Sequence, residues 1–132
     1  MKRALAARHY VRLLVMVMAL SIVAWTTGAA ERWAVRTIAE ILLTFEHSPS
    51  CADRAVVRQI LDDGATTSRE RVVAMALLNV RHIPQAADAR ALDAMIIDQS
   101  TPSSLRTIAT AVVNLTHTVT DADRRALEAL LK

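Results

Sequence analysis

Apolar positions along the chain fall on a helical stripe that returns at a fixed interval. Ile38, Ile41, Leu42 and Phe45 stand at i, i+3, i+4 and i+7, one face of a 3.6-residue period. Val73, Ala76, Leu77 and Val80 occupy the same places 35 residues on, and Ile108, Ala111, Val112 and Leu115 another 35 beyond. Shorter apolar stripes lie between them: Val56, Val57, Ile60 and Leu61, then Leu92, Met95 and Ile96, then Leu127, Leu130 and Leu131. Read against Val56, Gln59 and Ile60, the second of these is offset by 36, with the following connector restoring the register.

Polar punctuation sets the ends of these segments. Ser48, Pro49 and Ser50 stop a first helix running from Glu31 to about His47, and Asp62, Asp63 and Gly64 end the second. Ser50 or Asp53, Ser68, Asp88, and Asp121 or Asp123 are the expected N-caps of the helices that follow. Pro84 closes the third helix, and Thr101, Pro102 and Ser103 lead into the fifth. No period-2 run competes, and the chain holds one Phe and one Tyr, so no strand is predicted. The fold class is all-α: stacked antiparallel helical hairpins with a 35-residue repeat, joined by short connectors and preceded by an N-terminal leader helix.

The repeat extends to polar residues. His47, His82 and His117 recur at 35, as do Asp53, Asp88 and Asp123, and Arg36, Arg71 and Arg106. Over residues 31–132 this pattern resembles the α-solenoid class of HEAT-like and tetratricopeptide-like repeats. The tetratricopeptide period is about 34, but its aromatic and Gly landmarks are missing here. The shared unit is instead an Ala, an LLN-like triplet, a His and, six residues later, an Asp. The resemblance implies a packed helical scaffold and, by analogy, a protein-binding habit.

The first 30 residues change the picture of charge and compartment. Lys2, Arg3, Arg8 and Arg12 precede the uncharged run LLVMVMALSIVAW, and TTGAA follows with small residues. This order is that of a secretory signal peptide, with cleavage expected between Ala30 and Glu31. Leu13 to Ala30 is also just long enough for an uncleaved signal anchor. Either way the remainder, residues 31–132, is expected on the far side of the inner membrane: periplasmic or secreted, or tethered by a single span with a cytoplasmic N-terminus. Removing the four leader cations leaves 16 − 4 = 12 basic against 13 acidic groups, so no nucleic-acid partner is predicted. Cys51 is the only cysteine, which excludes an internal disulfide and leaves an intermolecular one open.

Candidate chemistry is sparse. No nucleophile elbow, P-loop or HExxH spacing occurs, so no enzyme and no cofactor are predicted. Opposite the apolar stripe, Met75, Asn79 and His82 share a second helix face, matched by Thr44 and His47 in the first unit and by Thr110, Asn114 and His117 in the third. Stacked units would align these into a polar ladder, the expected partner-binding surface. Each His is also placed to close its helix by bonding free carbonyls in the last turn. No metal site is predicted, because equivalent side chains on parallel helices about 8 to 10 Å apart point the same way, whereas zinc needs each nitrogen at about 2.0 to 2.1 Å. Leu127, Leu130 and Leu131 lack a following helix, so the end faces must close on each other or pair in a homodimer. The expected function is an exported, non-catalytic interaction module binding a protein or peptide in the cell envelope. The alternatives are a small-ligand or metal-binding protein using the His/Asn ladder, and a membrane-tethered scaffold.

Overall fold

The computed structural model describes residues 33–132. The leader and the Ala30–Glu31 junction lie outside that range. Among the described residues there are six helices and no strand. They are α1 over residues 33–43, α2 (Cys51–Asp62), α3 (Ser68–Asn79), α4 (Ala86–Ile97), α5 (Ser103–Val113) and α6 (Asp121–Leu130). None is long and apolar enough to cross a membrane.

All twelve stripe residues of α1, α3 and α5 and the turns that follow them are buried, so these three helices form the inside of the molecule. From α2, α4 and α6 the buried apolar side chains are Val57 and Ile60, Leu92 and Met95, and Leu127, which makes them an outer layer. Leu92 and Met95 match Val57 and Ile60 at 35, and α4 begins and ends 35 residues after α2. The offset of 36 is therefore corrected: buried positions, rather than all apolar ones, keep the register.

The units close into a ring instead of stacking in an open ladder. Three backbone bonds show this: His82 N–H donates to His47 C=O at 2.7 Å, His117 N–H to His82 C=O at 3.0 Å, and His47 N–H to His117 C=O at 2.8 Å. The last of these joins the third unit to the first. Arg124 adds a second tie, donating from Nη1 to the Leu43 carbonyl at 3.2 Å. Inner helix α3 packs on α2, α4 and α5, and α5 packs on α4 and α6. A single apolar core runs through the molecule.

Closure disposes of the exposed ends. Leu127 is fully buried within this one chain, while Leu130 and Leu131 are half-buried against the same core.

The caps differ in detail from those expected. Ser50 is the cap of α2, in a reciprocal box with Asp53: Asp53 N–H donates to Ser50 Oγ at 3.1 Å and Ser50 N–H to Asp53 Oδ2 at 3.0 Å. Thr67, not Ser68, caps α3 in the same way with Glu70, and Thr120, not Asp121 or Asp123, caps α6. Gln85 stands at the cap of α4 with no side-chain bond. Asp53, Asp88 and Asp123 thus lie inside the first turns, where their charge favours the positive helix end. Cys51 opens α2 as an exposed free thiol.

A candidate metal centre at the meeting of three loops

The residues 44–50, 80–85 and 114–120 connect inner to outer helices, and all three connectors meet at one end of the ring. Beneath them Phe45, Val80 and Leu115 are buried, one from each unit, so the loops sit on an apolar plug. Two residues further along each chain segment stands a histidine.

The histidines do not lie in the last turn of their helices. The helix ends at residue 43, Asn79 or Val113, and each His follows in a left-handed conformation: φ is 64° at His47, 71° at His82 and 89° at His117. These are the only non-glycine residues with positive φ among those described. A left-handed L-residue costs about 1–2 kcal/mol, because Cβ crowds the following carbonyl. The backbone bonds between units hold that conformation in place, since each His N–H and C=O faces a neighbouring loop rather than its own helix.

The turn aims the side chains together. Ring centroids are 5.3 Å apart for His47 and His82, 5.2 Å for His47 and His117, and 5.1 Å for His82 and His117. The ring planes meet at 54°, 62° and 67°, an edge-to-face arrangement with nearly threefold regularity. His82 Nδ1 lies 3.2 Å from His117 Nδ1, one nitrogen donating and the other accepting according to tautomer. One nitrogen from each of the three rings falls within 4.8 Å of the others, and all three residues are exposed.

This overturns the geometric expectation that kept the histidines apart. That expectation placed them on parallel helices, where helix spacing fixes side-chain separation. They stand instead on loops, beyond the helix ends, and the left-handed turn directs each ring toward the others. Nitrogens bound tetrahedrally at about 2.0 to 2.1 Å from zinc are about 3.3 Å apart. One pair already has that spacing, and the exposed His47 ring offers a nitrogen within 4.8 Å of the other two.

The other residues of the proposed ladder serve the fold. Asn79 Nδ2 donates to Asp88 Oδ2 at 3.0 Å, and Asn114 Nδ2 to Asp123 Oδ2 at 3.1 Å, tying the two helices of each hairpin. Asn79 and Asn114 therefore make the bridge across the turn, and no histidine takes part in it. Thr44 Oγ1 donates to the Ile41 carbonyl at 3.2 Å and Thr110 Oγ1 to the Arg106 carbonyl at 2.8 Å, both within their own helices. Met75 is half-exposed on α3 and bonds to nothing polar. Only the three histidines keep free ligand atoms that converge.

Elsewhere the surface offers little chemistry. A depression of about 400 Å³ between α4, α5 and α6 is lined by Arg106, Thr107, Thr110 and Asp123. Thr107 and Thr110 donate to the Ser103 and Arg106 carbonyls, and Asp123 accepts from Thr120 and Asn114. The recurrence of His at 35 was visible in the sequence. The positive φ that makes the rings converge was not, since that spacing also fits a helix-closing His. Comparison with protein-family models, curated proteins and solved structures finds no match to this chain.

Proposed function

We propose that the domain is a non-catalytic metal-binding module that holds one borderline divalent transition ion, Zn²⁺ or Cu²⁺, through His47, His82 and His117. The observation that carries this reading is the convergence of the three imidazoles, with 3.2 Å between His82 Nδ1 and His117 Nδ1. Neutral imidazole suits these ions, whereas Ca²⁺ and Mg²⁺ take oxygen ligands that this cluster lacks. The backbone supports the same reading. A left-handed turn needing no side chain would be served by glycine without the steric cost, yet a histidine stands there in all three units. Strain kept at one equivalent position three times is the kind concentrated at binding sites.

The basic, apolar and small-residue order of residues 1–30 supports an extracytoplasmic setting, in the periplasm or beyond it. There the module would meet ions outside the reducing cytosol, and a site made of imidazoles alone needs no thiol kept reduced.

Titration calorimetry with zinc or copper salt tests the assignment. One ion per chain is expected, with affinity lowered at least tenfold by His47→Ala, His82→Ala or His117→Ala and stoichiometric binding lost in the triple variant. Circular dichroism of each variant confirms that the helices persist. A wild-type protein that takes up no stoichiometric ion, or a triple variant that binds as well, refutes the proposal.

A further inference from the structure

We infer that the site carries its ion for transfer: an acceptor's donor atom joins the ion from the solvent side before the three histidines release it. This rests on the metal-binding reading above and specifies what the bound ion is for.

The coordination count comes first. Zinc in a structural site is enclosed by four protein ligands, and three protein ligands leave an open position. The cluster here holds three histidines and, among the described residues, no Asp, Glu or Cys within the same reach. All three histidines are exposed, so the open position faces solvent rather than a pocket. A depression of about 380 Å³ beside it is lined by Arg54, Leu78, Asn79, Arg81 and Gln85, and none of the three histidines lines it. The loop surface has an apolar rim residue: Ile83, next to His82, is 56% exposed.

The outer shell points the same way. A ligating His in a tightly held site donates its second ring N–H to a carboxylate or carbonyl, and loss of such a partner typically costs 10–100-fold in affinity. Among the described residues, the only hydrogen bond to any of these rings is the one between His82 and His117 themselves. His82 and His117 are thus held only by each other, and His47 by ring packing alone, so no carboxylate or carbonyl fixes an imidazole for the ion.

The backbone, by contrast, stays put. The bonds joining His47, His82 and His117 run through N–H and C=O at 2.7, 2.8 and 3.0 Å, and they use no ring atom. Loss of the ion leaves the loops joined. As one metal–nitrogen bond breaks, the acceptor's lone pair replaces it. When the last ring is freed, one of the two rings moves its proton from Nε2 to Nδ1 by exchange with solvent, and the bond between His82 and His117 re-forms with that nitrogen donating. Ligands are exchanged and no electron moves.

The same face sets the acceptor's chemistry. It must present a nitrogen, oxygen or sulfur donor that can approach three exposed histidines, as a side chain on another protein or a small chelator can.

Transfer kinetics separate this from simple binding. Protein loaded with one Zn²⁺ is mixed in a stopped-flow instrument with excess 4-(2-pyridylazo)resorcinol, and the chelate's colour is followed as chelator concentration rises tenfold. The observed rate should rise about tenfold with it. A rate constant over that range means that the ion leaves before the acceptor arrives, which overturns transfer while stoichiometric binding still stands. Failure to load Zn²⁺ at all overturns both readings.

Discussion

The two ends of the ring join their units by opposite means. At the histidine end the backbone makes the joints: His N–H and C=O groups pair across three units. The three imidazoles are thereby left over, while Asn79 and Asn114 at the same end bond to Asp88 and Asp123. At the other end, residues 63–67 and 98–102 are closed within each connector by Thr66 N–H and Thr101 N–H and, in addition, by side chains. Thr66 Oγ1 donates to the Ile60 carbonyl at 2.6 Å, Glu70 accepts from Thr67 N–H at 2.7 Å, and Arg69 donates to Asp98 and Ser100 at 2.9 and 2.6 Å. The joint between units is made by the main chain of the histidines at one end and by polar side chains at the other, and only the first leaves the side chains of its joining residues free for a ligand.

The largest stability effect should therefore come from the connector end. Arg71 donates from Nη1 to the Leu61 carbonyl and from Nη2 to the Asp63 carbonyl at 2.7 Å, holding the C-terminal end of α2 from a half-buried position. Bonds from a charged group contribute about 1.5–3 kcal/mol. Arg71→Ala should destabilise the domain by about 2 kcal/mol in urea unfolding and leave ion affinity unchanged. If affinity falls with stability, the two ends are not independent.

The second prediction inverts the sign. His82→Gly removes the left-handed strain at one loop but loosens the unfolded chain, a partial offset of roughly 0.5–1 kcal/mol. Against a strain of about 1–2 kcal/mol the variant should be more stable by about 0.5–1 kcal/mol. It should also lose at least tenfold in ion affinity, since a ligand is gone. A less stable His82→Gly protein would mean that the imidazole itself holds the ring together.

These two ends were not equally legible in the sequence. The buried stripes were: every apolar residue placed on the inner helices by periodicity is buried. The recurrence of His, Asp and Arg at 35 was legible too, but its consequence was not. Equal spacing fits an open stack or a closed ring, and the choice depends on the rotation between neighbouring hairpins, which side-chain packing sets over long range. Three units happen to complete a circle, so residues expected to lie in a row meet at a point. Left-handed φ at His47 was equally hidden, because His is less diagnostic of that region than Gly. Ser50, one of the two residues expected at the cap of α2, stands there, whereas the caps of α3, α4 and α6 fall one to three residues before those expected, because neighbouring polar side chains such as Thr120 and Asp123 can both cap and spacing alone does not choose between them.

The smallest effect distinguishes the ends by pH. At the connector end Asp98 accepts from Ser100 N–H at 2.9 Å and from Ser100 Oγ at 2.9 Å, and these bonds, with the Arg69 guanidinium, outweigh desolvation and lower its pKa. A carboxylate lowered in the folded state adds stability above its unfolded value, about 3.9, and that stability is lost as pH falls through the lowered folded value. Asp98→Asn should therefore melt slightly below wild type at pH 7, and the gap should close as pH falls through the lowered folded value. A gap that is the same at pH 2.5 and pH 7 would show that geometry, not charge, holds this turn. Ion binding at the histidine end should depend on pH for a different reason, because imidazole ligates only when neutral and protons compete with the ion for its nitrogens. Affinity for Zn²⁺ should therefore weaken as pH falls, in wild type and in Asp98→Asn alike. A pH dependence of affinity that changes in Asp98→Asn would mean that the two ends titrate as one unit.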